Sequence, residues 1–239
     1  MCRPDKCSIG RCVILTCMTT MISAQVQALY AGFRTPIASV DCGQQCAPYN
    51  DGLPFCCDTC HAVPTAYLDE WAYLQDNTEL WHLWEAEDSQ ETHRLKQEAG
   101  DQLVLVECMG HQHCQRDFRT LICRAFPFYP YIDTGGRYLG LSYYWEYWER
   151  CWVISNLDRV SSAYRREFGA TFEKLFAFLP DAHRTFANYG AEVRQLFAQE
   201  NRGIPLLHQN GHNFYVDPFT EALELADAYP RFGPYDVQE

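Results

Sequence analysis

Eight cysteines stand in two short stretches of this chain. Written as spacings they are Cys42-x3-Cys46-x9-Cys56-Cys57-x2-Cys60 and Cys108-x5-Cys114-x8-Cys123. Thiolates bind zinc and iron–sulfur clusters strongly, and each such site takes about four ligands. Loops that turn sharply can bring several sulfurs to one point. Two plainer readings compete. A free cysteine is often a small buried hydrophobe, but loops offer little core to be buried in. Cysteines in an oxidising compartment pair as disulfides, but the chain has 13 of them, and an odd number cannot pair completely.

The elements that must position these thiols can be read from periodicity. Asp41 to His61 is loop-like, with Gly43, Pro48, Asn50, Asp51, Gly52 and Pro54 as turn formers. Ser23 to Phe33 carries Val26, Leu29, Tyr30 and Phe33 at helical spacing. Pro64 to Trp84 reads as helix in pieces, with Tyr67, Trp71, Leu74, Leu80, Leu83 and Trp84 on one apolar face. Glu85 to Gly100 is charged and solvated, and Leu103 to Glu107 suits a short buried strand. Pro127 and Pro130 exclude a regular helix between Phe126 and Ile132. Ser161 to Leu179 and Asp181 to Phe197 are amphipathic helices. Ile204 to Val216 suits a strand pair around Asn210-Gly211, and Pro218 to Tyr229 reads as a last helix.

The resulting expectation is a mainly α fold with irregular cysteine-rich loops and a few short strands (α+β). It forms a single domain around a metal centre. Residues 1–22 are an N-terminal extension, which lies upstream if Met18 or Met21 is the true start. Residues 23–239 are the domain, with a metal-binding part at 42–130 and a helical part at 143–230. Residues 1–24 have the layout of a secretion signal, but Thr16, Thr19, Thr20 and Ser23 break the apolar run. Cys2, Cys7, Cys12 and Cys17 recur every five residues and fit no usual metal motif. No stretch has the ~20 consecutive apolar residues of a membrane span. A cytoplasmic protein with no membrane contact is expected. The net charge of −12 argues against nucleic acid, which needs a basic surface.

The cysteine pattern resembles the YkgJ-like cysteine-cluster family, described as zinc- or iron-chelating. That family shows a spaced cysteine pair, a Cys-Cys doublet, then Cys-x(5 or more)-Cys and an arginine four residues before Cys-Arg-x-Phe. Here these are Cys42 and Cys46, Cys56-Cys57, Cys108 and Cys114, then Arg119 before Cys123, Arg124, Ala125, Phe126 and Pro127. The gap between Cys46 and the doublet is longer than usual, and Thr120 stands where a proline usually follows the arginine. The resemblance covers about Cys42 to Pro130. It implies the ligand set Cys42, Cys46, Cys56, Cys57, Cys108, Cys114 and Cys123. Cys57, Cys108, Cys114 and Cys123 are the best four, while Cys60 and Cys151 fall outside.

His61, His111 and His113 lie beside the thiols and could substitute as ligands. Arg119 and Arg124 could neutralise a thiolate cluster or hold an anion, or instead pair with carboxylates such as Asp117 or Glu107. The aromatic run from Phe126 to Trp152 suits core packing better than a cage for cationic amines. Four thiolates suit both zinc and a 4Fe-4S cluster. The doublet is foreign to the Cys-x2-Cys knuckles of zinc ribbons, which favours iron–sulfur. The function expected is a metal-binding protein with a structural or redox centre. One alternative is an iron–sulfur enzyme similar to the flagellin lysine N-methylases, whose cysteine pattern the family resembles. Another is a metal-handling or maturation partner of a second protein.

Overall fold

A computed structural model of the chain describes residues 21–86 and 88–235. The secretion-signal reading and the four N-terminal cysteines therefore lie outside the described residues. In chain order the elements are α1 (Ser23–Gly32), α2 (Cys42–Cys46), β1 (Thr65–Tyr67), α3 (Leu68–Asn77), β2 (Trp81–Leu83), α4 (Ser89–Ala99), β3 (Leu103–Cys108) and α5 (Leu121–Ala125). They continue with β4 (Phe128–Ile132), β5 (Tyr138–Tyr143), α6 (Ser162–Phe178), α7 (Pro180–Gln199), β6 (Ile204–Leu207), β7 (Asn213–Val216) and β8 (Leu223–Leu225).

Two sheets organise them. The smaller has the order β1-β3-β2, and the larger is β4-β5-β6-β7-β8. Every pairing is antiparallel. Helices α6 and α7 pack on each other and on the larger sheet, α6 against β5 and α7 against β4 and β6. Their buried faces follow the helical repeat: Tyr164, Phe168, Phe172 and Leu175 on α6, and Phe186, Val193 and Phe197 on α7. Ser161 caps α6, its side chain accepting a hydrogen bond from the Tyr164 N–H at 3.1 Å. β5 and β6 approach so closely at Gly140 that a Cβ there would sit 2.6 Å from the Leu207 carbonyl oxygen. Only glycine fits that crossing.

The mainly α expectation is corrected by these sheets: eight strands among the described residues build a two-sheet α+β fold. Three segments depart from the expected elements. Within 64–84 only Leu68–Asn77 is helical, because Trp81 to Leu83 pair with β3, Trp81 opposite Cys108. The charged stretch before Gly100 is helix α4, exposed along most of its length and capped by the Asp88 side chain. The helix expected over Pro218 to Tyr229 is absent. Asp217 instead accepts from the N–H groups of Phe219 and Thr220, closing a turn that sends Leu223–Leu225 back along β7. The expected helical part at 143–230 thus holds α6 and α7 but also the strands β6, β7 and β8.

The expectation that the fold is assembled around a metal centre is corrected too. A contiguous apolar cluster runs from Met21 to Val216, and its largest fully buried members are Tyr129, Tyr131, Tyr164, Phe128, Phe168 and Phe172. Among the described residues no group of three or more His, Cys, Asp or Glu is placed to hold a metal ion. Burial of aromatic and aliphatic side chains, each contributing about 1.5–3 kcal/mol, accounts for the scaffold.

Candidate functional site

The thiols come from four separate pieces of backbone. Asp41 caps α2, its carboxylate accepting from the Gly43 N–H at 3.0 Å, and this sets Cys42 and Cys46 on one short turn. Pro54 precedes the 3-10 turn Phe55–Cys57 that carries the doublet. Cys108 ends β3, and the 3-10 turn His111–His113 leads into Cys114. Cys123 lies in α5, where its own N–H donates to the Thr120 hydroxyl at 3.0 Å. Thr120 takes the place of the proline in the resembled pattern and supplies a helix cap instead.

Six of the seven candidate cysteines line one cavity of about 620 Å³: Cys42, Cys56, Cys57, Cys108, Cys114 and Cys123. The seventh, Cys46, points elsewhere. Its sulfur accepts from the Phe55 N–H at 3.3 Å and donates to the Gly43 carbonyl at 3.5 Å, within a small apolar cluster with Phe55 and Tyr235. Cys60 is exposed and Cys151 is buried, and neither lines the cavity. All nine described cysteines are free.

The electrostatics tie the thiols together. Cys56 and Cys57 share a hydrogen bond that holds Cys57 below the usual thiol range and pushes Cys56 well above it. Arg119 favours the Cys57 thiolate as well. Burial pushes Cys42 up to about 11 and Cys123 up to about 12, the latter against the pull of Arg119. Burial also raises Cys46 and Cys108. The Arg119 guanidinium donates from Nε to the Cys114 sulfur at 3.0 Å. Burial works against its charge, but Cys123, Cys114 and Cys56 together raise it. A cation thus stands among the thiols, and Arg34, Arg116 and Arg124 also line the cavity.

Arg124 has another task. Its guanidinium is buried and donates to the carbonyls of Arg119, Tyr30, Phe33 and Asp117 at 2.7–3.2 Å, with its carbon 4.2 Å from the centre of the Tyr30 ring. It pins the loop before α5 to the end of α1. Among the histidines, His111 lines the cavity. His61 stacks on Phe55 at 4.9 Å and bonds to Asn50 Oδ1 at 3.1 Å. His113 is exposed and does not line it.

Two positioning residues escaped the reading of the sequence. Glu70 is fully buried. Its carboxylate accepts from the Tyr30 hydroxyl at 2.8 Å, the Leu121 N–H at 2.6 Å and the Tyr67 N–H at 3.1 Å. It thereby bolts α1 and α3 to the start of the helix bearing Cys123. Its signal was present: Glu70 falls on the same helical stripe as Tyr67 and Leu74, where a charge is out of place. Trp81 donates from Nε1 to the Phe118 carbonyl at 2.7 Å and lines the cavity. Comparison with protein-family models, with curated proteins and with solved structures finds no match for this chain.

Proposed function

We propose that the chain is a metal-binding protein whose cavity thiols ligate an iron–sulfur centre, structural or redox in role. The observation that carries this is the convergence of six free cysteines from four backbone segments on one cavity, with the Arg119 cation among them. The donor set suits the group: thiolates are the ligands of iron–sulfur clusters, and a cationic hydrogen-bond donor offsets their charge. Zinc fits less well. A tetrahedral zinc site with 2.3 Å bonds needs its sulfurs about 3.8 Å apart. Among the described residues no three ligands are gathered to hold a single ion. A cluster takes each thiolate on its own iron and spreads the sulfurs over a wider wall. When bound, such a centre would supply one-electron transfer or a covalent tie between the loops.

The resemblance of Cys42 to Pro130 to the YkgJ-like family, carried by the cysteine spacings and the run Arg119 to Pro127, supports the same reading. A reducing, cytoplasmic setting goes with it, because free thiols bind metal only where they stay reduced. No described helix is long and apolar enough to cross a membrane. Anaerobic purification followed by iron, sulfide and zinc analysis and a visible spectrum tests the proposal. Stoichiometric iron and sulfide with charge-transfer absorption is the expected result. Absence of both metals at stoichiometric level sinks it. Cys123→Ser should then lose the metal and destabilise the fold, and unchanged metal content would remove Cys123 from the ligands.

A further inference from the structure

A second, smaller cavity shares a wall with the thiol-lined one. It measures about 180 Å³, and Cys56, Pro64, Cys123 and Phe126 line both spaces. We propose that this smaller cavity binds an alkylammonium group, with Phe126, Tyr144 and Tyr147 as its cage and Glu146 as its counter-charge. Three observations carry the assignment. The three ring centres lie 6.5, 5.1 and 6.4 Å apart, so one ammonium nitrogen can stand within about 6 Å of all of them, the range of a cation–π contact. The remaining lining, Ala62, Val63 and Ile122, is apolar and suits an alkyl stem. Glu146 is exposed at this lining and has no basic partner among the described residues, only the Tyr189 hydroxyl at 3.3 Å.

Charge and size agree. No Lys, Arg or His is among the lining residues, while a carboxylate is, so the site favours a cation over a neutral or anionic guest. The volume slightly exceeds that of a buried cavity of about 150 Å³ known to admit benzene, which leaves room for a four-carbon amine. A bound amine would lie against Cys56 and Cys123, beside the proposed centre. Its placement beside that centre rests on the metal-binding reading, whereas the cage itself does not.

The full chain is titrated with n-butylammonium and, as its neutral counterpart, 1-pentanol, following the ring resonances of Phe126, Tyr144 and Tyr147 by NMR. The amine should bind about tenfold more tightly, between the worth of an exposed and of a desolvated cation–π contact. Glu146→Gln and Tyr147→Leu should each weaken the amine severalfold and leave pentanol unchanged. Glu146 is exposed, so that variant keeps its fold and the test stays decisive even if Tyr147→Leu unfolds. Equal binding of amine and alcohol, or full amine affinity in Glu146→Gln, overturns the proposal. A capped lysine residue within a short glycine peptide forms a further arm. Tighter binding of the peptide identifies a protein side chain as the source, and tighter binding of the free amine identifies a small metabolite. The titration is repeated after metal removal. Amine binding in a chain found to hold no metal would leave the cage standing and sink only the metal-centre reading. Stoichiometric metal without amine binding would do the reverse.

Discussion

Helices α6 and α7 and the larger sheet are held by large apolar side chains, whereas the segments that carry the thiols lean heavily on the hydrogen bonds of a few polar side chains. On one side Phe168, Phe172 and Tyr164 stack along α6 and bury completely against neighbouring rings. On the other, five-residue helices and 3-10 turns hang on Asp41, Glu70, Thr120, Arg124 and Trp81. Apolar burial is non-directional and survives small shifts, but a hydrogen bond fixes a direction and fails as a unit. The comparison teaches that the apolar scaffold stands apart from the thiol loops, and that those loops are the part a bound centre would stiffen.

The largest effect should come from the apolar side. Phe168 is fully buried and touches the rings of Phe33, Tyr164 and Phe172. Phe168→Ala should cost about 3–5 kcal/mol through lost transfer energy and a cavity. Urea unfolding followed by far-ultraviolet circular dichroism measures it. A loss below about 1 kcal/mol would mean that the α6 core does not carry the scaffold.

Glu70 probes the polar side. Burial raises its carboxyl to about 7, in spite of three donors that pull the other way. Between the usual carboxylate value near 4.5 and about 7, the folded chain holds a proton that the unfolded chain releases. The contribution of Glu70 to stability therefore falls as pH rises through that window, by up to about 3 kcal/mol. Denaturation midpoints from pH 4.5 to 8 should decline in the native chain and flatten in Glu70→Gln. The same pH slope in both would remove Glu70 as the source.

How much of this contrast was legible in the sequence differs between the two sides. The 3.6-residue repeat announced α6 and α7, because both bury one apolar stripe, and Asn210-Gly211 announced the β6–β7 turn. Trp81 to Leu83 were misread because three residues have no period to tell strand from helix, and β3 across the sheet decided it. The last helix failed because Glu221 takes a left-handed φ of 57° and the Asp217 N–H turns back to the Ala222 carbonyl at 2.9 Å, which closes a hairpin turn instead. The cysteine spacings pointed to the loops that converge, yet nothing in them told that Cys46 turns to Phe55 and Tyr235. Nor could Arg119 and Arg124 be separated: both flank Cys123, but only the fold places one against a sulfur and the other against four carbonyls.

A medium effect should separate those two arginines. Arg119→Met keeps much of the bulk but removes the donor to Cys114 and the cation bonded to a cavity sulfur. Loss of such a partner typically lowers metal affinity about tenfold to hundredfold. Competition with a chelator should show that drop with little change in the unfolding midpoint. Arg124→Met should do the opposite, because it strands the carbonyls of Tyr30, Phe33, Arg119 and Asp117. If both variants lose metal equally and unfold equally, the division between site and tie is wrong.

The smallest effect is expected at Cys60, three residues after Cys57 and outside the cavity. Its side chain is exposed, and its N–H donates to Asp58 Oδ1 at 3.0 Å, a bond that serine keeps. Cys60→Ser should change stability by no more than about 0.5 kcal/mol, as surface substitutions do, and should leave metal content untouched. Cys57→Ser, on the same loop, removes a cavity sulfur and the partner of Cys56. Because the two positions share backbone and sequence neighbourhood, only orientation toward the cavity separates them. Equal metal loss in both variants would show that the loop as a whole, rather than the cavity wall, supplies the ligands.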